Sequence, residues 1–352
     1  MCVRLDTIGD VLMTTPAIRA LKRGAADRRI TLLTSHSGAE AARLVPEIDD
    51  VITYDAPWMK PESGSRRELE MAQLLRERSF DAAAIFTVYT QSALPASFLC
   101  RLAGIPLQLA HCRENPYALL TDWVRETEPE TGIRHEVQRQ LDLVATVGCT
   151  VDDDRLSLEV PPAATHRIER LLEDCGIDGS RPWCVMHPGA TAASRRYPPG
   201  SFAAAADELA RDGWRIVLTG APAEAALVAS VRRAMRAPAL SLTGALDLGE
   251  MAALLASAPL LISNNSGPVH IAAAVGTPVV DLYALTNPQH TPWRVPSRVL
   301  SHDVPCRWCY RSICPEGHQN CLRLVEASEV AAAARELFAE THDARRLVGA
   351  QP

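Results

Sequence analysis

The stretch "PLLISNNSGPVHIAAAVGTPVVDLYA", residues 259–284, contains the pattern that decides the fold. Two short apolar runs, 259–263 and 278–284, are typical of buried strands, and residues 268–276 are typical of a helix between them. A strand–helix–strand unit of this kind indicates a parallel sheet whose strands are connected by helices. The turn after the first strand is unusually polar, with two amides, a hydroxyl and a glycine.

This polar turn predicts an anion site. Pro268 is tolerated in the first turn of a helix, so Ser266 or Gly267 caps the helix and its free backbone amides point outward. Glycine lets a ligand approach the backbone closely, and the amides together with the helix dipole favour a phosphate. His270 lies one helical turn further on and can face the same anion. A capped helix with a partly buried histidine is the alternative reading of these residues.

The same alternation of strands and helices extends over most of the chain. In the first half, strands are predicted at 2–5, 30–35, 51–55 and 82–88, and helices at 11–24, 38–45, 66–79 and 92–104. After a proline-containing connector, 158–166, the second half has predicted strands at 182–187, 214–220, 239–244, 259–263 and 278–284, and helices at 201–213, 222–235, 247–258 and 268–276. Two such arrays predict two Rossmann-like α/β domains, which bind ligands outside the carboxyl ends of their strands.

Length and composition fit this prediction. A chain of 352 residues with 47% hydrophobic and 22% charged residues is globular and long enough for two cores. The net charge of −6 gives no overall attraction for nucleic acid. No signal peptide is visible, and the apolar stretch 251–263 is shorter than the roughly 20 residues of a membrane span, which predicts a cytoplasmic protein. The first strand begins so close to Met1 that a start further upstream is an open alternative.

Four of the ten cysteines are close together in "CRWCYRSICPEGHQNC", residues 306–321, and the other six are scattered through apolar segments. Cys306, Cys309, Cys314 and Cys321, with His318 among them, have a spacing that can hold zinc or an iron–sulfur cluster. The paired CxxC…CxxC form of a zinc site is missing. We therefore interpret the four as reduced structural thiols and predict no metal site, with a metal as the alternative.

A candidate catalytic residue lies in "RLDTIGDVLMTTP", residues 4–16. Gly9 and Asp10 follow the first strand and open a helix, so Asp10 is expected to point into a cleft between the domains. A carboxylate at a helix amino end is held ionised by the dipole, which suits it to accept a proton from a hydroxyl. Capping of the helix by Asp10 is the alternative, and Asp6, where the strand is ending, is a weaker rival for the catalytic role.

Two loops of the second domain carry further candidates. In "HPGATAASRRYPPGSF", residues 187–202, Thr191 lies in the loop after a strand, and Arg195 and Arg196 have guanidinium groups that suit pyrophosphate oxygens. An exposed basic loop is the alternative. In "TGAPAE", residues 219–224, Glu224 is placed to accept hydrogen bonds from a ribose or simply to favour the helix dipole.

These stretches, in this order, resemble glycosyltransferase family 9, the ADP-heptose:lipopolysaccharide heptosyltransferases. The matching pieces extend from about residue 3 to 323, nearly the whole chain. The resemblance implies a GT-B fold, in which two Rossmann-like domains with parallel sheets face each other across a cleft. The predicted domains are an acceptor-side domain, 1–160, a nucleotide-sugar donor domain, 161–325, and a C-terminal helix and tail, 326–352, that packs back on the first domain.

The resemblance also implies roles for the site residues. Asp10 corresponds to the aspartate of the family's "GD" pair, its proposed base. Arg195 replaces the family's phosphate-binding lysine, and Glu224 matches its donor-binding glutamate. The family's D-S/T-G-P-x-H turn is matched by Ser266, Gly267 and His270, whereas Asn265 stands in the place of the usual acid. The expected donor site comprises Gly9, Thr191, Arg195, Arg196, Glu224, Asn265, Ser266, Gly267 and His270.

From these observations we predict an inverting glycosyltransferase without a required cofactor. The expected donor is an ADP-sugar, with ADP-heptose first, and the expected acceptor is a lipopolysaccharide or another glycan or glycolipid at the cytoplasmic face of the inner membrane. The alternatives are a nucleotide-sugar-binding protein without turnover and a family member with a different donor. A nicotinamide oxidoreductase is disfavoured because the first strand–helix turn lacks the GxGxxG fingerprint.

Overall fold

The computed structural model describes residues 1–59 and 67–349, with the backbone alone for residues 343–349. These residues divide into two compact units, Met1–Glu159 and Val160–Pro352, and residues 350–352 of the predicted tail and Arg66 of the predicted third helix lie outside the described residues. The predicted division lay one residue further along the chain.

The first unit is built on six parallel strands in the order β3-β2-β1-β4-β5-β6. The strands are β1 (Cys2–Arg4), β2 (Thr31–Thr34), β3 (Asp50–Thr53), β4 (Ala82–Ile85), β5 (Leu107–Cys112) and β6 (Asp122–Arg125). The helices are α1 (Ile8–Arg23), α2 (His36–Ala42), α3 (Arg67–Glu77), α4 (Leu94–Leu102) and α5 (Glu136–Ala145).

The second unit repeats this plan with the strand order β12-β11-β10-β7-β8-β9, again all parallel. Its strands are β7 (Trp183–His187), β8 (Arg215–Leu218), β9 (Leu240–Ser241), β10 (Leu261–Asn264), β11 (Val279–Leu282) and β12 (Ser297–Leu300). Its helices are α6 (Pro162–Asp174), α7 (Pro199–Arg211), α8 (Ala225–Ala234), α9 (Leu248–Ser257), α10 (Gly267–Val275), α11 (Asn320–Arg323) and α12 (Ala327–Gly349).

Each sheet has a point at which the strand order reverses. In the first unit the chain proceeds outward from β1 to β3, then returns to β4 on the other side of β1. The second unit reverses in the same way between β7 and β10. In doubly wound α/β sheets the crevice for a ligand opens at this switch point, outside the carboxyl ends of the strands. The two sheets therefore confirm the predicted α/β class and define where each unit has its crevice.

The helix boundaries follow from local chemistry. Asp247 accepts a hydrogen bond from the backbone N–H of Glu250 at 2.8 Å, and Glu250 accepts one from Asp247 N–H at 3.0 Å, which starts α9 with a reciprocal cap. Gly276 ends α10 in the left-handed region, at φ +81°, where a side chain would be strained. Pro162 begins α6 inside the stretch that the sequence suggested was a connector, because proline fits the first turn of a helix.

Three strands were not predicted, because none of them has a continuous apolar run in the sequence. The edge strands β6 and β12 are mostly exposed or half-buried, so neither has the apolar run of a central parallel strand. Strand β5 is largely buried but includes two polar residues, Gln108 and His111, which interrupt its apolar pattern.

The first half of the C-terminal helix belongs to the core of the second unit. The described side chains of α12, including Val330, Ala334 and Leu337, are buried in the core of the second unit, together with Phe202 of α7. Arg335 pairs with Asp212 just beyond α7, with 2.6 Å between Nη2 and Oδ2. This part of the helix packs on α7 because its apolar stripe completes that core. That the C-terminal helix and tail pack back on the first domain stays a prediction. Within residues 1–59 and 67–349, no helix combines the length and the apolar character needed to cross a membrane.

Candidate functional site

The polar turn of the second unit lies at the switch point of its sheet. Strands β7 and β10 are parallel neighbours, so the loop after His187 and the turn after Asn264 emerge side by side at the same edge. The hydroxyl of Ser266 donates to the carbonyl oxygen of Gly189 at 3.4 Å, which joins the two loops directly. The residues that the sequence selected in the second domain are therefore brought to one crevice.

The two asparagines of this turn have different hydrogen-bond partners. The side chain of Asn264 is fully buried; its Oδ1 accepts from the backbone N–H of Tyr197 at 2.9 Å, and its Nδ2 donates to Pro188 O at 2.7 Å. It ties the end of β10 to the loop after β7 and to the segment that carries Arg195. Because both of its polar atoms are used by the backbone, Asn264 is a structural residue, a role that the sequence did not predict for it.

Asn265 is backed by a buried carboxyl group. Its Nδ2 donates to Asp281 Oδ2 at 3.0 Å and to His290 O at 2.8 Å, so the amide is held in one orientation. Asp281 is fully buried in β11, and burial raises the pKa of its carboxyl to about 8, while the Asn265 hydrogen bond and the Arg195 charge act in the opposite direction. The acid that the family resemblance expected at position 265 is missing there, but a carboxyl group lies directly behind the amide.

The amino end of α10 offers fewer amides than predicted. Ser266 is the N-cap residue, yet its one hydroxyl proton is shared between Asn264 O at 3.1 Å and Gly189 O at 3.4 Å, and its side chain caps no N–H of the helix. Pro268 has no N–H, and the N–H of Val269 is bonded to Ser266 O at 3.0 Å. Of the first-turn amides in the described chain, the N–H of Gly267 is the one left for a ligand. His270 is buried, with its ring 6.5 Å from that of His290, and its predicted contact with the anion stays a prediction.

The two adjacent arginines are not equivalent. Arg196 Nε donates to Ala190 O at 2.7 Å and helps to hold the loop. Arg195 ends a 3-10 turn, Ala193–Arg195, and its guanidinium makes no hydrogen bond or ion pair with any residue in the described part of the chain. It is half-buried and close enough to Asp281 for its charge to lower the pKa of that carboxyl. A half-buried cation without a counter-ion favours an anionic ligand, so Arg195 is the stronger candidate of the pair.

Glu224 is held over the backbone of Gly189. Its Oε2 accepts from Ala221 N–H at 2.8 Å and lies 3.5 Å from His187 Nε2. A Cβ on Gly189 would come within 2.2 Å of both carboxylate oxygens, so a side chain there would displace the Glu224 carboxylate. Burial lowers the pKa of His187, opposed by the charge of Glu224, and the Nδ1 of His187 is 3.0 Å from Thr219 Oγ1. Thr191 is exposed in the same loop.

In the first unit, Asp10 caps the helix that it opens. Its Oδ2 accepts from Thr7 N–H at 3.1 Å and from Thr7 Oγ1 at 2.7 Å, and its Oδ1 accepts from Arg4 Nη2 at 3.1 Å. Gly9 is buried in the same turn. The capping interpretation of Asp10 is thus correct as a structural role, and the catalytic role stays a prediction. The Asp10 side chain is 15% exposed, so its carboxylate is accessible to solvent.

Asp6 has more side-chain contacts than its sequence position indicated. The fully buried Arg4 has its Nη1 2.8 Å from Glu136 Oε1 and its Nε 3.0 Å from Asp6 Oδ2, so three carboxylates surround one guanidinium. Asp6 Oδ1 also accepts from Gln91 Nε2 at 2.7 Å. Burial raises the pKa of Asp6 to about 6, against the lowering effect of Arg4 and with a smaller raising contribution from Asp10.

The cysteine cluster supports the loop of Arg195. Cys306, Cys309, Cys314 and Cys321 are half-buried free thiols that line one small cavity with His318. Between them, the backbone of Ser312 accepts from Ser194 N–H at 3.0 Å, and Arg311 O accepts from Ser194 Oγ at 2.6 Å. The cluster therefore lies against the 3-10 turn of Arg195. That its thiols hold no metal stays a prediction.

Replacement of Arg195 tests the anion site. We expect Arg195→Ala to weaken ADP binding by about 10- to 100-fold, the scale of a lost charge-assisted hydrogen bond. Calorimetric titration with ADP measures the change, with Arg181→Ala as the control because Arg181 is exposed before β7, at the opposite end of that strand. Unchanged affinity in Arg195→Ala would transfer the role to Arg196 or remove it from this loop.

Replacement of Gly267 tests the amino end of α10. Gly267 does not have a positive φ, so a side chain there does not strain the backbone by that route. We expect Gly267→Val to lower ADP affinity at least tenfold, about 1.4 kcal/mol, with a modest change in Tm. The control at the other end of the helix, Gly276→Ala, should lower Tm and leave ADP affinity unchanged, because Gly276 has φ +81°. Normal ADP binding by folded Gly267→Val would place the diphosphate elsewhere.

Asp281 predicts a pH dependence of stability. Its folded-state pKa of about 8 lies above the value of about 4 in an unfolded chain, so its protonated form favours folding. This contribution is complete below about pH 4 and is lost as the pH rises through 8. We therefore compare the free energies of unfolding of Asp281→Asn and the wild type in denaturant at pH 5 and pH 9. We expect the value for the variant, relative to that of the wild type, to be higher at pH 9 than at pH 5. A difference that is the same at both pH values would contradict the assignment.

Comparisons with known proteins agree with this geometry. The model of the family described as "Glycosyltransferase family 9 (heptosyltransferase)" matches residues 69–320. Lipopolysaccharide heptosyltransferase 3 of Escherichia coli is 26% identical over 294 residues, 81% of this chain and 83% of that protein.

Solved structures show the same fold. The glycosyl transferase family 9 protein of Veillonella parvula DSM 2008 has a TM-score of 0.81 at 24% identity, covering 96% of each chain. The E. coli ADP-heptose lps heptosyltransferase II has a TM-score of 0.75 at 20% identity, covering 97% of this chain and 98% of that one. These likenesses confirm the predicted GT-B class. Because the family match covers more than half of the 352 residues, the chain belongs to glycosyltransferase family 9 and is a glycosyltransferase.

Proposed function

We propose that this protein transfers heptose from ADP-heptose to a lipopolysaccharide or a related glycolipid, with inversion at the anomeric carbon. The observation that carries the proposal is Arg195, a half-buried cation with no ion pair in the described part of the chain, at the same sheet edge as the uncapped amino end of α10. Such a pairing suits a diphosphate. The choice of sugar is supported by the relatives, which are named as heptosyltransferases.

The donor would be held by residues with distinct tasks. Arg195 and the N–H of Gly267 would bind the diphosphate, with Arg196, Thr191 and His270 around it. Glu224, which already accepts from Ala221 N–H, has further acceptor sites for ribose hydroxyls. Both N–H groups of Asn265 are engaged, so its Oδ1 would accept from a hydroxyl of the sugar.

The transfer would need one base and a stabilised leaving group. Asp10 would take the proton of the acceptor hydroxyl as its oxygen forms a bond to the anomeric carbon. The bond from that carbon to the β-phosphate oxygen breaks on the opposite face, and ADP leaves with the electron pair. Arg195 and the Gly267 amide would stabilise the charge that develops on the diphosphate. We propose that these groups suffice without a metal cofactor.

A second candidate function is transfer of a different sugar from a nucleotide donor. Asn265 favours it, because an amide replaces the acid of the family's turn and changes the hydrogen bonds available to the sugar. A glycolipid acceptor is the partner that we propose in either case, and it would bring the enzyme to the cytoplasmic face of the inner membrane.

A donor screen tests the proposal. Purified protein is incubated with ADP-heptose, UDP-glucose or GDP-mannose and with lipopolysaccharide from a heptose-deficient bacterium, with and without EDTA. We expect ADP release and a mass gain of one heptose on the acceptor, unchanged by EDTA. Transfer from another donor would support the second candidate, and loss of transfer in EDTA would overturn the metal-free mechanism. ADP-heptose binding without transfer would support a binding protein instead.

Asp10→Asn tests the base. We expect turnover to fall by roughly 10²-fold or more, the usual scale for a lost general base, while ADP affinity stays near that of the wild type. Because Asp10 also accepts from Thr7 N–H and Arg4, a melting curve of the variant is needed to separate loss of folding from loss of chemistry. Asp50→Asn, which removes a charge at the start of β3, is the control. Near-normal turnover in folded Asp10→Asn would leave the residue only its capping role.

A further inference from the structure

The first unit has a pocket at its own switch point. It has a volume of about 220 Å³ and lies between the ends of β1 and β4, the two strands at which the order of the sheet reverses. Leu5 and Asp6 line it from the end of β1, and Phe86, Thr87 and Gln91 line it from the end of β4. This is where a doubly wound sheet places its ligand.

The walls of this pocket are mostly apolar. Trp58, Met59 and Pro95 complete it with Phe86, and Trp58 is positioned by an edge-to-face contact with Tyr54, at 5.8 Å between ring centroids. Flat apolar walls with a few fixed polar groups are the usual construction of a small-molecule site, and an aromatic face suits the C–H face of a sugar ring.

The polar groups of the pocket are arranged to accept and donate hydrogen bonds. The Asp6 carboxylate is fixed by Gln91 Nε2 on one oxygen and by Arg4 Nε near the other, which leaves lone pairs for a ligand. The hydroxyl of Thr87 has no hydrogen-bond partner within the described chain, although the residue is only 9% exposed. A buried hydroxyl without a partner is costly, and a ligand hydroxyl would satisfy it.

The charge of the pocket limits what it can hold. Asp6 is the one ionisable side chain among the described residues that line it, and the nearby guanidinium of Arg4 is already shared by Asp6, Asp10 and Glu136. Among these described residues, no further cation would balance a carboxylate or phosphate of a ligand placed against Asp6. An uncharged ligand rich in hydroxyls meets no such repulsion.

We propose that this pocket binds an uncharged sugar residue of the acceptor, with Asp6 and Gln91 bound to its hydroxyls and Trp58 and Phe86 against its ring. The proposal rests on the proposed function and names the acceptor group that this function left open. Asp6 is a binding residue here, distinct from Asp10, the proposed base.

Binding of small glycosides tests the pocket directly. In saturation-transfer NMR, methyl heptopyranoside should receive saturation from the wild-type protein, and methyl glucuronide, its anionic counterpart, should receive little. Asp6→Asn and Trp58→Ala should each reduce the heptoside signal by at least fivefold, and Asp50→Asn should leave it unchanged. Equal signals from the two glycosides, or a heptoside signal that survives in both pocket variants, would overturn the proposal.

Kinetics separates this proposal from the proposed function. With the lipopolysaccharide acceptor, we expect Asp6→Asn and Trp58→Ala to raise the KM for the acceptor at least tenfold while ADP affinity and kcat stay within threefold of the wild type. Trp58→Ala leaves the Arg4 ion pairs intact, so it keeps the test valid if Asp6→Asn does not fold. A lower kcat with an unchanged KM would assign Asp6 to the chemistry and contradict a binding role. If the wild type transfers heptose and neither variant changes the KM, the pocket proposal fails alone; if the wild type transfers no sugar, the proposed function fails.

Discussion

The parallel pairing of the strands is the constraint on which the rest of this structure depends. Every strand pairing in the described chain is parallel, so within each unit all strands end at the same edge and helices must return the chain to the opposite edge. Reversal of the strand order then opens a crevice at that edge, between β1 and β4 in the first unit and between β7 and β10 in the second. Asp6 follows β1, Gln91 follows β4, Gly189 follows β7 and Asn265 follows β10.

The two crevices differ in whether their arginine is paired with carboxylates. In the first unit, the buried Arg4 guanidinium is surrounded by three carboxylates, which compensate its charge. In the second, Arg195 has no ion pair in the described chain. A buried charge is costly unless it is paired, so the first arrangement is complete without an anion, whereas the second is completed by one. This contrast is consistent with a hydroxyl-bearing acceptor in the first unit and a diphosphate donor in the second.

The pair of Asn265 and Asp281 shows how the second unit departs from the family's turn. The acid is absent from position 265, and a carboxyl group lies behind the amide instead, in a fully buried position. With its pKa raised to about 8, Asp281 is mostly neutral at pH 7 and adds little negative charge beside a diphosphate. In the proposed donor site, the amide would thereby be oriented without electrostatic cost to the diphosphate, and the departure would affect contacts with the sugar.

The sequence by itself determined the α/β class, the two repeated arrays and the family, because apolar runs of strand length alternate with amphipathic helices and because motifs such as "IGD" and "SGP" are local. It also selected Asp10, Arg195 and Glu224, each of which lies within a few residues of a strand end. The edge strands β6 and β12 were missed, since an exposed strand has no apolar run to show in the sequence.

Only the tertiary structure decided which polar residues share a site. Asp281 lies in β11, yet it meets Asn265 because β10 and β11 pair in register; Gln91 reaches Asp6 across 85 positions of sequence because β1 and β4 are neighbours. The family's motifs selected Asn265 over Asn264 and matched Arg195 to the phosphate-binding cation, but they gave no role to Asn264, whose partners Tyr197 and Pro188 are 67 and 76 positions away. Those partners are distant in the chain, and so the roles of these residues follow from strand order and not from local pattern.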